Sequence, residues 1–193
     1  PLLSLADRDV YSIPMLLMIG WRGEPNMPDE PQHKKQGRIT LELLESMEIP
    51  FCVLSSDTSD EEANQIIQEA VIYATDNNSP YALLVKKGTY TNYTLKTHIR
   101  SDSTLYREEA IKLIVNSLND LDIVVSTTGF TSRELFEYRE TLGQGHKRDF
   151  LTIGGMGHTS QIALGIALQK PNRLVYCLDG DGSMLMHMGS LAI

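Results

Sequence analysis

The sequence has too few cations to hold a polyanion by bulk charge. Lys and Arg number 17 against 25 Asp and Glu, a formal net charge of −8. That balance argues against a nucleic-acid partner or an anionic membrane surface. It leaves open a local phosphate site built from backbone N–H groups. Cysteine is equally sparse. Cys52 and Cys177 lie far apart in apolar runs, with no CxxC. A disulfide scaffold is therefore not expected, and two reduced core thiols in a reducing, cytoplasmic setting are. Long apolar runs are missing as well: Ile13–Ile19 is broken by Pro14, far short of the ~20 residues that cross a bilayer. No membrane partner and no signal peptide are expected. There is no HExxH, GxSxG or Walker A sequence, and the five histidines do not pair at zinc-ligand spacing.

Hydrophobic residues make up 41% of the 193 positions, enough to bury real cores. They recur in alternating strand and helix patterns. Met15–Ile19 reads as a strand, the polar stretch Gly20 to Gly37 as a long loop, and Arg38–Met47 as a helix. Phe51–Leu54 is a strand. Ser59 to Glu62 is a capping box that opens a helix through Ala74, and Tyr81–Val85 is a strand. Lys86 to Ser103 has no clean period and reads as a linker. The alternation then restarts, with a helix at Ala110–Leu118 and a strand at Ile123–Ser126. A second capping box, Thr131 to Glu134, opens a helix through about Arg139. Strands follow at Leu151–Ile153 and Leu174–Leu178, with a helix between them at Gln161–Leu168. Such alternation predicts parallel sheets covered on both faces, with ligands outside the carboxyl ends of the strands.

Three of these strand ends carry glycine: Thr127-Thr128-Gly129, Gly154-Gly155-Met156-Gly157 and Asp179-Gly180-Asp181-Gly182-Ser183. Each precedes a helix start, so several helix N-termini could face one anion. Asp181 supplies a hard carboxylate of the kind Mg²⁺ takes together with phosphate oxygens. A plain structural turn explains that tetrapeptide equally well. The second turn is not a dinucleotide fingerprint, because Ser160 stands where GxGxxG needs its third glycine. A further loop gathers the only Trp, Trp21, with Arg22, Asp29, Gln32 and His33, a combination more often functional than a random loop, with a merely solvated loop the equal alternative.

Taken together, Gly20-Trp21-Arg22-Gly23, Asp29-Glu30-Pro31-Gln32-His33, Ser126 to Gly129 with Thr131 to Leu135, Gly154 to His158 and Leu178 to Ser183 resemble the thiamine diphosphate-dependent 2-oxoacid decarboxylases. The match is to the branch that acts on phosphonopyruvate or sulfopyruvate. The resemblance implies an α/β chain of two doubly wound parallel-sheet units of the thiamine diphosphate-binding type, both incomplete. Residues 1–90 would be the C-terminal part of a pyrimidine-binding domain, 91–103 a linker, and 104–193 the N-terminal part of a diphosphate-binding domain. It implies thiamine diphosphate and Mg²⁺ as cofactors, a small 2-oxoacid substrate and a homo-oligomer.

By the same resemblance, Asp181 is the metal ligand. The backbone of Thr128, Gly129, Gly182 and Ser183 binds diphosphate. Gly154 receives the aminopyrimidine on its carbonyl, and Met156 is the wedge under the bent cofactor. Gln32 and His33 face the substrate. The activating glutamate is expected upstream of Pro1, and the asparagine pair that closes the metal motif is expected beyond Ile193. The chain would then be an internal fragment, inactive alone. Its run across the domain boundary favours phosphonopyruvate over sulfopyruvate. A non-catalytic nucleotide- or phosphate-binding module is the third reading. Asn26 departs from the family, where glycine is expected.

Overall fold

The computed structural model describes residues 2–96 and 103–193. The chain divides into two compact units, 1–98 and 99–193. The expected linker 91–103 falls partly on residues 97–102, outside the described residues.

In the first unit an apolar run decides the architecture. Strand β3 (Pro80–Val85) carries Ala82, Leu83, Leu84 and Val85, all buried. A strand buried on both faces belongs in the middle of a covered parallel sheet. It lies there between β1 (Met15–Gly20) and β2 (Phe51–Leu54), both parallel to it. Helix α1 (Leu2–Ala6) precedes β1. Alternation along β3 separates two cores. Leu83 and Val85 pack with Leu54 and Ala70 beneath α3 (Asp60–Asn77), whereas Ala82 packs with Leu44 and Ile49 beneath α2 (Pro31–Ser46). The chain crosses from β1 to β2 through α2 and returns from β2 to β3 through α3. Right-handed crossovers in opposite directions place their helices on opposite faces, and the two cores lie accordingly.

The second unit repeats this logic. Strand β4 (Ile123–Ser126) sits between β5 (Asp149–Leu151) and β6 (Val175–Leu178), all parallel. Val124 packs with Ile111 and Val115 of α4 (Arg107–Ser117) and Leu135 of α5 (Phe130–Thr141). Ile123 and Val125 pack with Ala163 of α6 (Thr159–Gln169) on the other face. Helix α7 (Asp181–Met186) and a 3-10 turn, Met188–Ala192, follow β6. The doubly wound α/β class expected from the sequence is the class found.

Several local expectations are corrected. Helix α2 begins at Pro31, not Arg38. Pro31 needs no amide partner in the first turn, and the polar residues before Arg38 carry no apolar stripe to reveal the helix. Gln32 and His33 are therefore helical. The box Thr131 to Glu134 does not cap α5. The helix starts two residues earlier, at Phe130 with Gly129 (φ 96°) at its N-cap, and Glu134 is bound instead by Arg107 at 2.6 and 2.8 Å. Strand β5 ends at Leu151, and Ile153 is 71% exposed, its carbonyl taken by the Thr128 hydroxyl and not by a strand. Cys177 is exposed, not core, although Cys52 is half-buried. By contrast, Ser59 Oγ accepts the Glu62 amide at 3.2 Å and caps α3 as read. Asn26 takes the left-handed conformation (φ 66°) that glycine would supply.

One contact fixes how α2 lies on the loop after β1. A Cβ on Gly37 would stand 1.9 Å from the Gly23 carbonyl oxygen, so the helix and the loop touch backbone to backbone. Gly37→Ala is expected to destabilise by about 2 kcal/mol or more. Gly165→Ala, in α6 with nothing within 4 Å of the new methyl, should stabilise by about 0.5–1 kcal/mol. Urea unfolding of both variants reads the two signs, and equal effects would dismiss the backbone contact.

Candidate functional sites of the two units

In the second unit, strand register brings the three glycine turns together. Ser126 pairs with Leu151 on one side and with Leu178 on the other, so β4, β5 and β6 end in one row. The next residues continue the row: Thr127 donates its amide to Leu178 O at 2.8 Å, and Thr152 Oγ1 donates to Ser126 O at 2.7 Å. Beyond it, side chains tie one turn to another. Thr128 Oγ1 donates to the Ile153 carbonyl at 2.6 Å. Ser183, 1% exposed, accepts the Gly157 amide at 2.9 Å and the Thr127 hydroxyl at 3.2 Å, so its Oγ joins all three turns. Ser132 Oγ, also buried, bonds Ser126 Oγ and the Thr127 carbonyl at 2.7 Å each.

The same turns place the remaining expected residues. Met156 is 47% exposed, and its Cε lies 3.6 Å from where a Cβ on Gly182 would stand. Gly157 (φ 93°) faces Met186, His187 and Ser183 at 3.3–3.4 Å, which leaves no room for a side chain. Asp181 is exposed at the start of α7 and accepts the Gly182 amide at 2.8 Å. Neighbouring Asp179 accepts the Gly180 amide at 2.9 Å. Thr128, Gly129, Gly154, Met156, Asp181, Gly182 and Ser183 thus belong to three turns knit into one cluster. The Ser183 oxygen accepts from both neighbouring turns, which leaves backbone and the exposed Asp181 carboxylate to face a ligand. Thr127 was not singled out from the sequence, because only the fold brings it to Ser183.

In the first unit, Gly20, Val85 and Leu54 end β1, β3 and β2 in one row. Trp21 donates its amide to Val85 O at 2.8 Å and its indole N–H to Gly37 O at 2.8 Å, which anchors the loop to sheet and helix. Asp29 organises the rest. Its carboxylate accepts Arg22 Nε at 2.9 Å, Arg22 Nη2 at 2.6 Å, Gly23 N at 2.6 Å, Glu30 N at 2.7 Å and His33 Nδ1 at 3.0 Å. A carboxylate is only an acceptor, so this last bond puts a proton on Nδ1 and leaves Nε2 as the outward nitrogen. The Arg22 bond, then those from His33 and Gly23, hold the Asp29 carboxyl well below the usual carboxylate range, and Asp29 in turn raises the Arg22 guanidinium. Cavities of about 560 and 350 Å³ flank Arg22. The first is lined by Met18, Trp21, Lys86, Lys87 and Tyr90, the second by His33, Gln36 and Thr40. Gln32 is exposed on the first turn of α2, beside His33. Asp29 was quoted from the sequence, but its central place was not. The Asp-Glu-Pro start of a helix was the available signal.

The second-unit cluster fits a flat, phosphorylated cofactor. Nothing lies within 4 Å of a Cβ built on Gly129, so the start of α5 opens on free space. The first N–H groups of a helix lack intrahelical partners. Among the described residues no three His, Cys, Asp or Glu side chains form a metal cage.

The comparisons name the class. Residues 128–193 match the family described as thiamine pyrophosphate enzyme, C-terminal TPP binding domain; thiamine pyrophosphate is thiamine diphosphate. Over 93% of its length the chain is similar to the phosphonopyruvate decarboxylase of Streptomyces hygroscopicus, 34% identical over 197 residues, which are 47% of that protein. The sulfopyruvate decarboxylase subunit beta of Methanothermobacter thermautotrophicus is 45% identical over 87 residues, 45% of this chain and 43% of its own. The sulfopyruvate decarboxylase of Methanosarcina acetivorans is 24% identical over 201 residues, 93% of this chain and 49% of its own. The chain therefore spans about half the length of the curated relatives it matches. The resemblance carried by the motifs is borne out. No helix among the described residues is long and apolar enough to cross a membrane.

Two measurements probe these sites as structure. A depressed carboxyl contributes stability that is complete above its unfolded value, ~3.9, and is lost as pH falls through its folded value. Asp29→Asn should therefore lower the unfolding midpoint at pH 6 to 7, with the gap to the parent chain narrowing below about pH 4; a gap independent of pH would contradict the assignment. Ser183→Ala leaves a buried amide unpaired and should cost about 1–3 kcal/mol, read by denaturant unfolding. A loss near zero would mean that the hydroxyl does not join the turns.

Proposed function

We propose that this chain is part of a thiamine diphosphate- and Mg²⁺-dependent decarboxylase that converts 3-phosphonopyruvate to phosphonoacetaldehyde and CO₂ in phosphonate biosynthesis. The observation that carries the reading is the cluster of three turns tied by Ser183 at the ends of β4, β5 and β6. The likeness to phosphonopyruvate decarboxylases over 93% of the chain supports the substrate. Residues 1–90 are read as pyrimidine-binding, 91–103 as linker and 104–193 as diphosphate-binding. The backbone of Thr128, Gly129, Gly182 and Ser183 holds the diphosphate, and Asp181 holds Mg²⁺. Gly154 orients the aminopyrimidine through its carbonyl, and Met156 supports the bent cofactor from below. Bound there, the cofactor supplies an electron sink for the carbon–carbon cleavage of a 2-oxoacid. On the first unit Gln32 and His33 meet the substrate, with His33 Nε2 placed to hold or deliver a proton.

Sulfopyruvate is the competing substrate. The Methanosarcina acetivorans relative matches across both units, so continuity of the chain does not separate the two acids. The 45% identity of 87 residues to a beta subunit favours sulfopyruvate over that stretch, and the comparison over 93% of the chain favours phosphonopyruvate. The relatives named as beta subunits also support a multi-subunit enzyme, read here as a homo-oligomer in the cytoplasm.

Turnover of both acids by the protein that carries this chain decides between them. A kcat/KM higher for phosphonopyruvate upholds the proposal, and the reverse assigns sulfopyruvate. In the same protein, Asp181→Ala should weaken Mg²⁺-dependent thiamine diphosphate binding at least about tenfold, since charged contacts of this kind are worth about 1.5–3 kcal/mol. Met156→Leu should be mild and Met156→Ala should slow turnover more than it lowers thermal stability. His33→Ala should change KM or kcat with little effect on cofactor affinity. Unaltered cofactor binding in Asp181→Ala would remove Asp181 from the metal site.

A further inference from the structure

We propose that Arg22, aligned by Asp29, is the residue that recognises the second acidic group of the substrate, the tetrahedral anion that distinguishes a 3-phosphono or 3-sulfo 2-oxoacid from pyruvate. The inference rests on the decarboxylase reading and goes beyond it by naming the side chain that selects the substrate.

A guanidinium carries five N–H donors in a planar fork suited to tetrahedral oxyanions. Asp29 takes two of them, from Nε and Nη2. The other donors have no partner among the described residues, and the side chain is 61% exposed while Asp29 is 13% exposed. The arginine is thus held at its inner edge and open at its outer edge, between the two cavities. Pairing with Asp29 does not cancel the site. Gly23 N, Glu30 N and His33 Nδ1 share the same carboxylate and disperse its charge.

The other charges around Arg22 are Glu24, Glu30, Lys86 and Lys87. Lys86 is bound to Glu24 at 2.9 Å and lies 5.9 Å from the Trp21 ring centre. Lys87 lines the larger cavity with no carboxylate partner among the described residues. Asp29 lines that cavity too, beside Met18, Trp21, Val85 and Tyr90, whose apolar surface strengthens a charge-assisted bond by limiting water. Lys87 and the outer edge of Arg22 thus face this cavity with donors that no carboxylate among the described residues takes. His33 shares Asp29 with Arg22, so the carboxylate sets both the anion-binding fork and the tautomer of the neighbouring ring. Asp29 is therefore a positioning residue, and Arg22 touches substrate.

The test compares phosphonopyruvate with pyruvate, which lacks the second anion, using the cofactor-loaded protein. Arg22→Gln is expected to lower the ratio of the two kcat/KM values about 100-fold, mainly through KM for phosphonopyruvate. Arg22→Lys, which keeps the charge but not the fork, should lower it about tenfold, in line with charge-assisted bonds. Asp29→Asn should shift the ratio in the same direction. Thermal unfolding identifies variants that fail to fold, and Arg22→Lys then carries the comparison. An equal loss on both acids, or no loss on phosphonopyruvate, overturns the inference. If the parent protein turns over neither acid, the decarboxylase reading fails. Titration with methylphosphonate then decides the inference alone: binding lost in Arg22→Gln upholds it, and equal binding by both proteins overturns it.

Discussion

Both candidate sites depend on parallel pairing in register. Because β1, β3 and β2 end in one row, and β5, β4 and β6 in another, the residues that follow each strand leave the sheet at the same height. The middle strand is fixed first, since Leu83, Leu84, Val124 and Val125 have nowhere to go except between two helical layers. A slip of one residue would exchange the two faces of each strand, and the apolar cost of that exchange holds the turns in place.

The two units then organise their strand ends differently. In the second unit a neutral hydroxyl ties turn to turn. Ser183 Oγ accepts two donors in a buried setting, leaving backbone and the Asp181 carboxylate for a ligand. In the first unit the organiser is an anion. Asp29 gathers a guanidinium, an imidazole and two amides on one carboxylate. A hydroxyl satisfies its neighbours without adding charge of its own. A carboxylate aligns cationic groups at the expense of some of their charge, which suits a place where direction matters as much as attraction.

Buried polar pairs also hold the edges away from the sites. Arg139 and Asp149, 1% and 0% exposed, bond at 3.0 and 3.1 Å and join the end of α5 to the start of β5. A buried pair of this kind is weak evidence for stability, but breaking it leaves an uncompensated charge. It therefore fixes where β5 begins, and so where the Gly154 to Gly157 turn emerges.

The sequence by itself determined the doubly wound class, the order of strands and helices, the glycine turns and the family that they resemble. Each of these is written in local periodicity or short motifs, which a chain carries before it folds. The first two turns of helix α2 escaped that reading because they are polar and carry Pro31 and Gly37, residues that also mark loops. The box at Thr131 to Glu134 misled because Gly129 and Arg107 compete for the same start. The joining of Thr127 to Ser183, the contact of Gly23 with Gly37 and the central place of Asp29 were decided only by the tertiary structure. The first two link residues 56 and 14 positions apart. The third depends on where the loop backbone and the first turn of α2 point their donors, and no spacing in the sequence specifies that.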